Sequence, residues 1–149
     1  MPATLESRRF GSVEVVEEAT LLFAEGLPGF EELREFLLLS PPELAPVQFL
    51  VSLMVPDISF PVLPASLCLP GYAPQLGEAD LDQLHLVAAS EATLYAILTF
   101  HHEQEEVTAN LRAPLAINIA ARLGRQVTLA DSTYSLRHPL CGVGEEARE

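Results

Sequence analysis

The sequence predicts an all-β fold, mainly antiparallel, forming a small β-barrel-like or curled sandwich domain with one or two short helices. Three observations carry this expectation. Apolar runs of strand length recur along the whole of the 149 residues. Twelve prolines cut the chain into pieces too short for long helices. Only residues 78–84 combine a helix-like composition with acids in the first turn, where they suit the helix dipole.

Taken in order, residues 5–10 form a mixed strand, Gly11-Ser12 a turn, and Val13-Glu14-Val15 an alternating return, which together predict a first hairpin. Thr20-Leu21-Leu22-Phe23 is a compact strand. In Gly26-Leu27-Pro28-Gly29-Phe30, Pro28 and Gly29 suit the second and third positions of a type II turn, since proline presets one backbone angle and glycine accepts a positive one. Phe30 is then expected to turn inward as a core anchor. Such a turn is either purely structural or a partner contact. Glu31-Glu32-Leu33-Arg34 suggests one helical turn, and Phe36-Leu37-Leu38-Leu39 a strand buried on both faces.

The proline-rich residues 41–46 propagate neither helix nor ladder and read as a loop. Residues 49–55 restore a strand, Pro56-Asp57 turns the chain, and Ile58-Ser59-Phe60 opens another strand that Pro61 and Pro64 confine to an edge or a bulge. Residues 66–75 are apolar but punctuated by proline and glycine, as an ordered loop covering one end of the core would be. Residues 93–100 are the strongest β segment, and residues 101–106 a polar loop.

Residues 107–140 are the organising stretch. Leu115, Ile117 and Ile119 alternate with Ala116 and Asn118, the period of a strand with one buried face, and Pro114 fits at its start or on an edge. Residues 126–129 resume the alternation, with Gly124 expected in the intervening turn. Asp131-Ser132-Thr133 ends the second strand. The domain is expected to span residues 1–141, with 142–149 a flexible tail.

Apolar residues make up 49% of the chain, enough for a core without disulfides. No apolar run approaches membrane-spanning length, and the start of the chain lacks a secretory pattern, so a cytoplasmic location is expected. Cys68 and Cys141 are too few for a disulfide framework or a paired-cysteine zinc site. The net charge is −13, and all 8 basic residues are arginine. Residues 1–100 hold 14 acids and 3 bases, a net of −11, whereas residues 101–149 hold 7 acids and 5 bases, a net of −2. Such a surface repels nucleic acid and anionic membrane, and either attracts a basic protein or merely keeps the domain soluble.

No constellation predicts catalysis, a metal or a cofactor. Asp131, Ser132 and His138 have the residue types of a hydrolytic triad but lack a preorganised nucleophile elbow. Adjacent His101 and His102 on extended backbone point to opposite sides, so they do not chelate one ion from one face. Asn110 and Asn118 lie in strand patterns where asparagine is disfavoured, which implies either amide bonds to loop backbone or direct partner contact. Arg137 and His138, followed by Pro139, are expected outside regular structure beside Tyr134, in a polar-aromatic cluster suited to an interface or to a C-terminal lock on the barrel.

The ordered set Gly26-Leu27-Pro28-Gly29-Phe30, Thr108-Ala109-Asn110-Leu111, Ala113-Pro114-Leu115, Ile117-Asn118, Gly124, Gln126-Val127, Ser132-Thr133-Tyr134-Ser135 and Arg137-His138-Pro139-Leu140 resembles the flagellar assembly factor FliW family. Residues 65–71 depart from the phenylalanine-richer stretch usual there. The resemblance implies a compact β-barrel-like fold and a non-enzymatic regulator. It also implies two partners, cytoplasmic flagellin and the RNA-binding translational repressor CsrA, with flagellin export freeing the protein to relieve repression. Chaperone-like protection of flagellin is implied as well. Family-motif and possible interaction residues are thus Gly26, Pro28, Gly29, Phe30, Asn110, Pro114, Asn118, Tyr134, Arg137, His138 and Pro139. The charge distribution adds an expected acidic partner-facing surface at Glu14, Glu17, Glu18, Glu31, Glu32 and Asp57. A small β-barrel that encloses a hydrophobic ligand, or a minor hydrolase, is the alternative class.

Overall fold

The computed structural model describes residues 3–129 and 133–140. Asp131 and Ser132, which have the residue types of a triad but are not expected to form one, Cys141 and the expected tail 142–149 lie outside the described residues. The strands are β1 (Thr4–Ser7), β2 (Gly11–Glu14), β3 (Thr20–Phe23), β4 (Glu35–Leu39), β5 (Gln48–Ser52), β6 (Ser59–Pro64), β7 (Thr93–His101), β8 (Glu106–Ala109), β9 (Leu115–Asn118), β10 (Leu123–Gln126) and β11 (His138–Leu140). Two short helices, α1 (Ala65–Cys68) and α2 (Glu78–Gln83), lie between β6 and β7.

Seven strands close a barrel in the order β7-β6-β5-β4-β3-β10-β9 and back to β7. All neighbours are antiparallel except β3 and β10, which run parallel with Leu123 opposite Leu22 and Gly124 opposite Phe23. β7 is the longest strand. Its first residues, Thr93 to Tyr95, pair with β9. Its last, Leu98 to His101, pair with β8, which in turn carries β11. The hairpin β1–β2 forms a separate two-stranded sheet.

Closure leaves two buried layers. Phe23, Phe36, Leu50, Val62, Tyr95, Leu115 and Ile117 belong to one cluster. Their strand neighbours Leu37, Val51, Leu63 and Ala96 belong to another, with Leu5, Phe49, Ala65, Cys68, Leu98, Val107 and Leu111. Adjacent residues of a strand point to opposite faces, so the first cluster fills the barrel and the second lies between its wall and the covering hairpin, α1 and β8. Burial on both faces is why these strands read as near-continuous apolar runs.

Several expectations are corrected here. β6 is an interior strand, not an edge. Its prolines are tolerated because β5 pairs with Ser59 to Val62 and β7 with Val62 to Pro64, so Pro61 and Pro64 each face a ladder on one side only. Residues 31–34 form a turn without a helix, and the strand expected to reach residue 55 ends at Ser52. The second strand of the central hairpin is β10, three residues earlier than its periodicity suggested. Its turn uses Arg122 at φ +58° rather than Gly124. Gly124 lies inside the strand, where an added Cβ would fall 2.4 Å from the Phe23 ring. Leu115, Ala116 and Ile117 are all buried, while Ile119 is half-exposed beyond the strand end.

Cys68 is buried, with Sγ 3.8 Å from the Pro64 carbonyl. Burial pushes its thiol from 9.0 up to about 11. The folded protein therefore keeps a proton that the unfolded chain releases, so this group's contribution to stability declines as pH rises from about 9 through about 11. Under native conditions at pH 8, a maleimide reagent is expected to leave Cys68 unmodified until denaturant is added, as read by peptide mass spectrometry. Rapid native labelling of Cys68 would contradict its burial.

Candidate protein-binding surface

Among the described residues, a crevice and a cleft bear on binding. The smaller, of about 300 Å³, gathers Glu25, Gly26, Pro28 and Glu31 with Gly124 and Arg125 of β10 and Gln83 of α2. One wall is set by the turn at residues 27–30, which contributes Pro28. There Gly29 takes φ +87° and the Phe30 N–H donates to the Leu27 carbonyl at 2.7 Å, the geometry of a type II turn. Gly26 is required more strictly, since at φ +65° its missing Cβ would lie 2.7 Å from Glu31 Cα. Leu27, not Phe30, is the anchor. Leu27 is buried, whereas Phe30 is 38% exposed and rests edge-on against Phe60.

Polar contacts finish this crevice. The Gly29 N–H donates to the Glu31 carboxylate at 2.9 Å, and backbone hydrogen bonding holds that carboxyl below its ordinary range. Arg125 donates from Nε to Asp80 at 2.6 Å and pairs through Nη1 with Glu25 at 2.9 Å. The Asp80 bond is the larger cause holding its guanidinium pKa up. This clasp ties α2 to β10.

The larger depression is an open cleft of about 980 Å³ between the β1–β2 hairpin, the loop joining β4 to β5, and the β7–β8 turn. Its floor is apolar, with Phe10, Val13, Leu39, Phe49, Phe100 and Val107. Four carboxylates, Glu14, Glu43, Glu105 and Glu106, line it against one guanidinium, Arg9. Arg9 lies over the rings of Phe49 at 5.2 Å and Phe10 at 6.0 Å.

The remaining motif residues fasten the barrel's ends. Asn110 Oδ1 accepts from the N–H groups of Arg112 at 3.1 Å and Ala113 at 3.0 Å, shaping the bend that leads to buried Pro114. Asn118 Nδ2 donates to the Leu84 carbonyl at 2.8 Å, and its Oδ1 accepts from the Ala121 N–H at 3.2 Å. Asn118→Ala is expected to cost about 1–3 kcal/mol, read as a lower urea midpoint, because it strips the Leu84 carbonyl beside a buried side chain. An unchanged midpoint would show that this bond carries no net stability.

Tyr134 packs edge-on against Tyr72 with centroids 4.5 Å apart, and its hydroxyl accepts from the Ala73 N–H at 3.3 Å. The Tyr72 hydroxyl donates to the Leu111 carbonyl, and burial pushes its pKa up. His138, expected outside regular structure, lies with Pro139 in β11, opposite Ala109 and Thr108. Ladder pairing was illegible because the three-residue strand is too short to show a period. Arg137 Nη2 stands 3.4 Å from His101 Nδ1, and His101 Nε2 is 2.9 Å from Thr108 Oγ1.

The six expected acidic positions are all exposed, but they do not share one depression. Glu14 lines the cleft and Glu31 the crevice. Glu17 pairs with Arg122 at 3.5 Å and Asp57 with Arg8 at 3.4 Å. The cleft also uses Arg9, Phe10, Glu43, Phe100, Glu105 and Glu106, which sequence reasoning missed. They come from three segments far apart in the chain, and only the crowding of glutamate at 103–106 was a signal. Among the described residues, no group of three His, Cys, Asp or Glu side chains is placed to hold a metal ion, and no helix is long and apolar enough to cross a membrane.

A closed seven-stranded barrel with a filled interior, an acidic exterior and an apolar surface cleft defines a small β-barrel domain whose distinguishing chemistry lies on its outside. The family model described as FliW protein matches residues 4–140. The flagellar assembly factor FliW of Bdellovibrio bacteriovorus is 40% identical over 136 residues, covering 91% of this chain and 78% of that protein. That of Thermotoga neapolitana is 35% identical over 143 residues, covering 95% and 96%. A crystal structure of the flagellar assembly factor FliW superposes with a TM-score of 0.83 at 32% identity, covering 92% of this chain and 96% of that one. The chain belongs to the FliW family.

Proposed function

We propose that this chain acts in flagellar assembly as a cytoplasmic adaptor without catalytic activity. It binds flagellin and antagonises a CsrA-type repressor by protein–protein contact, so that flagellin synthesis follows flagellin export. The observation that supports this reading most is the net charge of −13, carried by a chain whose carboxylates, among the described residues, are exposed except at Asp80 and Glu106. An RNA-binding repressor presents cations, and an acidic domain meets it quickly at low salt. Docked nearby, the same carboxylates weaken the repressor's hold on phosphates without filling its RNA site. The adaptor needs no direct nucleic acid, membrane or cofactor. Mass action supplies the switch if flagellin and the repressor exclude one another on the adaptor, because free flagellin then sets how much adaptor remains.

Purified chain titrated into a CsrA–RNA complex is expected to release RNA, and added flagellin to restore the complex. Failure to release RNA at any concentration would overturn the reading. The alternative of a barrel enclosing a hydrophobic ligand is disfavoured by the interior, which Phe23, Phe36, Leu50, Leu115 and Ile117 fill. A rise in melting temperature with added lipid would favour it.

A further inference from the structure

The hairpin hydrogen bonds single out one edge of β2. The Val15 N–H donates to the Ala3 carbonyl at 2.7 Å, and the register places Leu5 opposite Val13 and Ser7 opposite Gly11. Antiparallel pairs alternate between bonded and non-bonded. Gly11, Val13 and Val15 therefore point their backbone groups at β1, whereas Ser12 and Glu14 point theirs away from it. Among the described residues β2 pairs with β1 alone. The cleft is lined by Phe10, Ser12, Val13 and Glu14 and by no residue of β1, so the unpaired edge is the one that faces it.

Side chains beside this edge are sorted in the same sense. Val13 packs on the apolar cluster, while Glu14 stands in solvent on the opposite face. A strand added there would present alternate side chains to the apolar floor and to the acidic rim.

Resting on the reading of this chain as a protein-binding adaptor, we infer that the cleft takes an extended partner segment by strand addition to β2. The occupant alternates apolar with basic residues. Its backbone pairs with Ser12 and Glu14, its apolar side chains meet Phe49 and Phe100, and its cations meet Glu14, Glu43 and Glu106. Charge complementarity selects this occupant, since Glu14, Glu43 and Glu106 line the cleft against one arginine, Arg9. The same glutamates, on a strand of four residues, discourage pairing with acidic or neutral edges.

The test uses the whole chain and a short capped peptide alternating arginine with valine. On binding, the Ser12 and Glu14 amides are expected to exchange at least about tenfold more slowly with deuterated water, as newly bonded amides do. Ser12→Pro removes one of these N–H groups while sparing the bonds to β1, and should weaken binding, as should Glu14→Arg. Circular dichroism verifies that both variants fold. A glutamate–valine peptide should not bind.

Absence of peptide binding overturns the inference. So does binding that shifts floor residues without protecting Ser12 and Glu14, the signature of a helix in the cleft. If Ser12→Pro distorts the hairpin, the wild-type exchange result decides alone. A wild-type chain that releases RNA from the repressor yet gains no amide protection from the peptide overturns strand addition and leaves the proposed function standing.

Discussion

Reversing Glu14, Glu17, Glu18, Glu31, Glu32 and Asp57 together to arginine is expected to slow association with the proposed CsrA-type partner by about tenfold or more at low ionic strength. The six reversals change the charge by twelve, which nearly cancels a net of −13. All six side chains are exposed, so the change falls on the long-range field rather than on packing. The ion pairs lost, Glu17 with Arg122 and Asp57 with Arg8, are solvent-facing, and such pairs typically contribute about 0–1 kcal/mol each. The bonds that Glu31 accepts from the Gly29 N–H and Asp57 from the Arg8 N–H are lost as well and are solvent-facing too. Folding should survive. Stopped-flow association rates plotted against salt should be steep for the wild type and nearly flat for the variant, because screening acts only on the field that remains. Because the six positions do not share one depression, single reversals are expected to have small and similar effects on the association rate, as distinct from the affinity of the cleft that Glu14 lines. Identical rates and salt slopes for the wild type and the sixfold variant would remove electrostatic attraction from the account of partner choice.

Gly26→Ala is expected to be the most destabilising of the small glycine substitutions, by about 2–5 kcal/mol. The left-handed backbone costs an alanine about 1–2 kcal/mol, and forcing an atom into filled space costs a further 1–3 or so. At Gly26 both apply, since φ is +65° and the new Cβ would meet backbone atoms of Glu31 and Phe30 at 2.7 Å, which no rotamer change relieves. Gly124→Ala meets only the second cost. Its Cβ collides with the Phe23 ring at 2.4 Å, and that ring is wholly buried, so a loss of about 1–3 kcal/mol is expected. Gly29→Ala meets only the first, because nothing stands within 4 Å of its Cβ position. Urea unfolding of the three variants should rank them Gly26 first and the other two behind it. A Gly29→Ala loss equal to that of Gly26→Ala would show that the backbone clash contributes nothing.

These glycines show how legible the chain was. The turn at 27–30 was readable because proline and glycine impose angles locally, whatever surrounds them. Gly124 was misassigned to a turn for the same reason. A glycine needed for conformation and a glycine needed for space look alike until the neighbour, here Phe23 on β3, is known. Phe30 was expected inside because it is large and apolar, yet Leu27 holds the buried place. Side-chain size alone does not say which end of a tight turn faces the core. The cleft was illegible for a stronger reason: Phe10, Glu43 and Phe100 acquire a shared role only when hairpin, loop and barrel wall meet.

By itself the sequence determined the all-β class, most strand positions, the acidic character of the surface and the ordered motifs that mark the family. Each of these depends on interactions within a few residues or on composition, so each survives without coordinates. Tertiary structure alone decided that β7 closes on β9, that β6 is interior despite Pro61 and Pro64, and that β2 keeps one edge open toward an apolar cleft. Those outcomes depend on which backbone groups find partners across long sequence separations, and the hydrophobic period, being the same for every strand, does not name the neighbour.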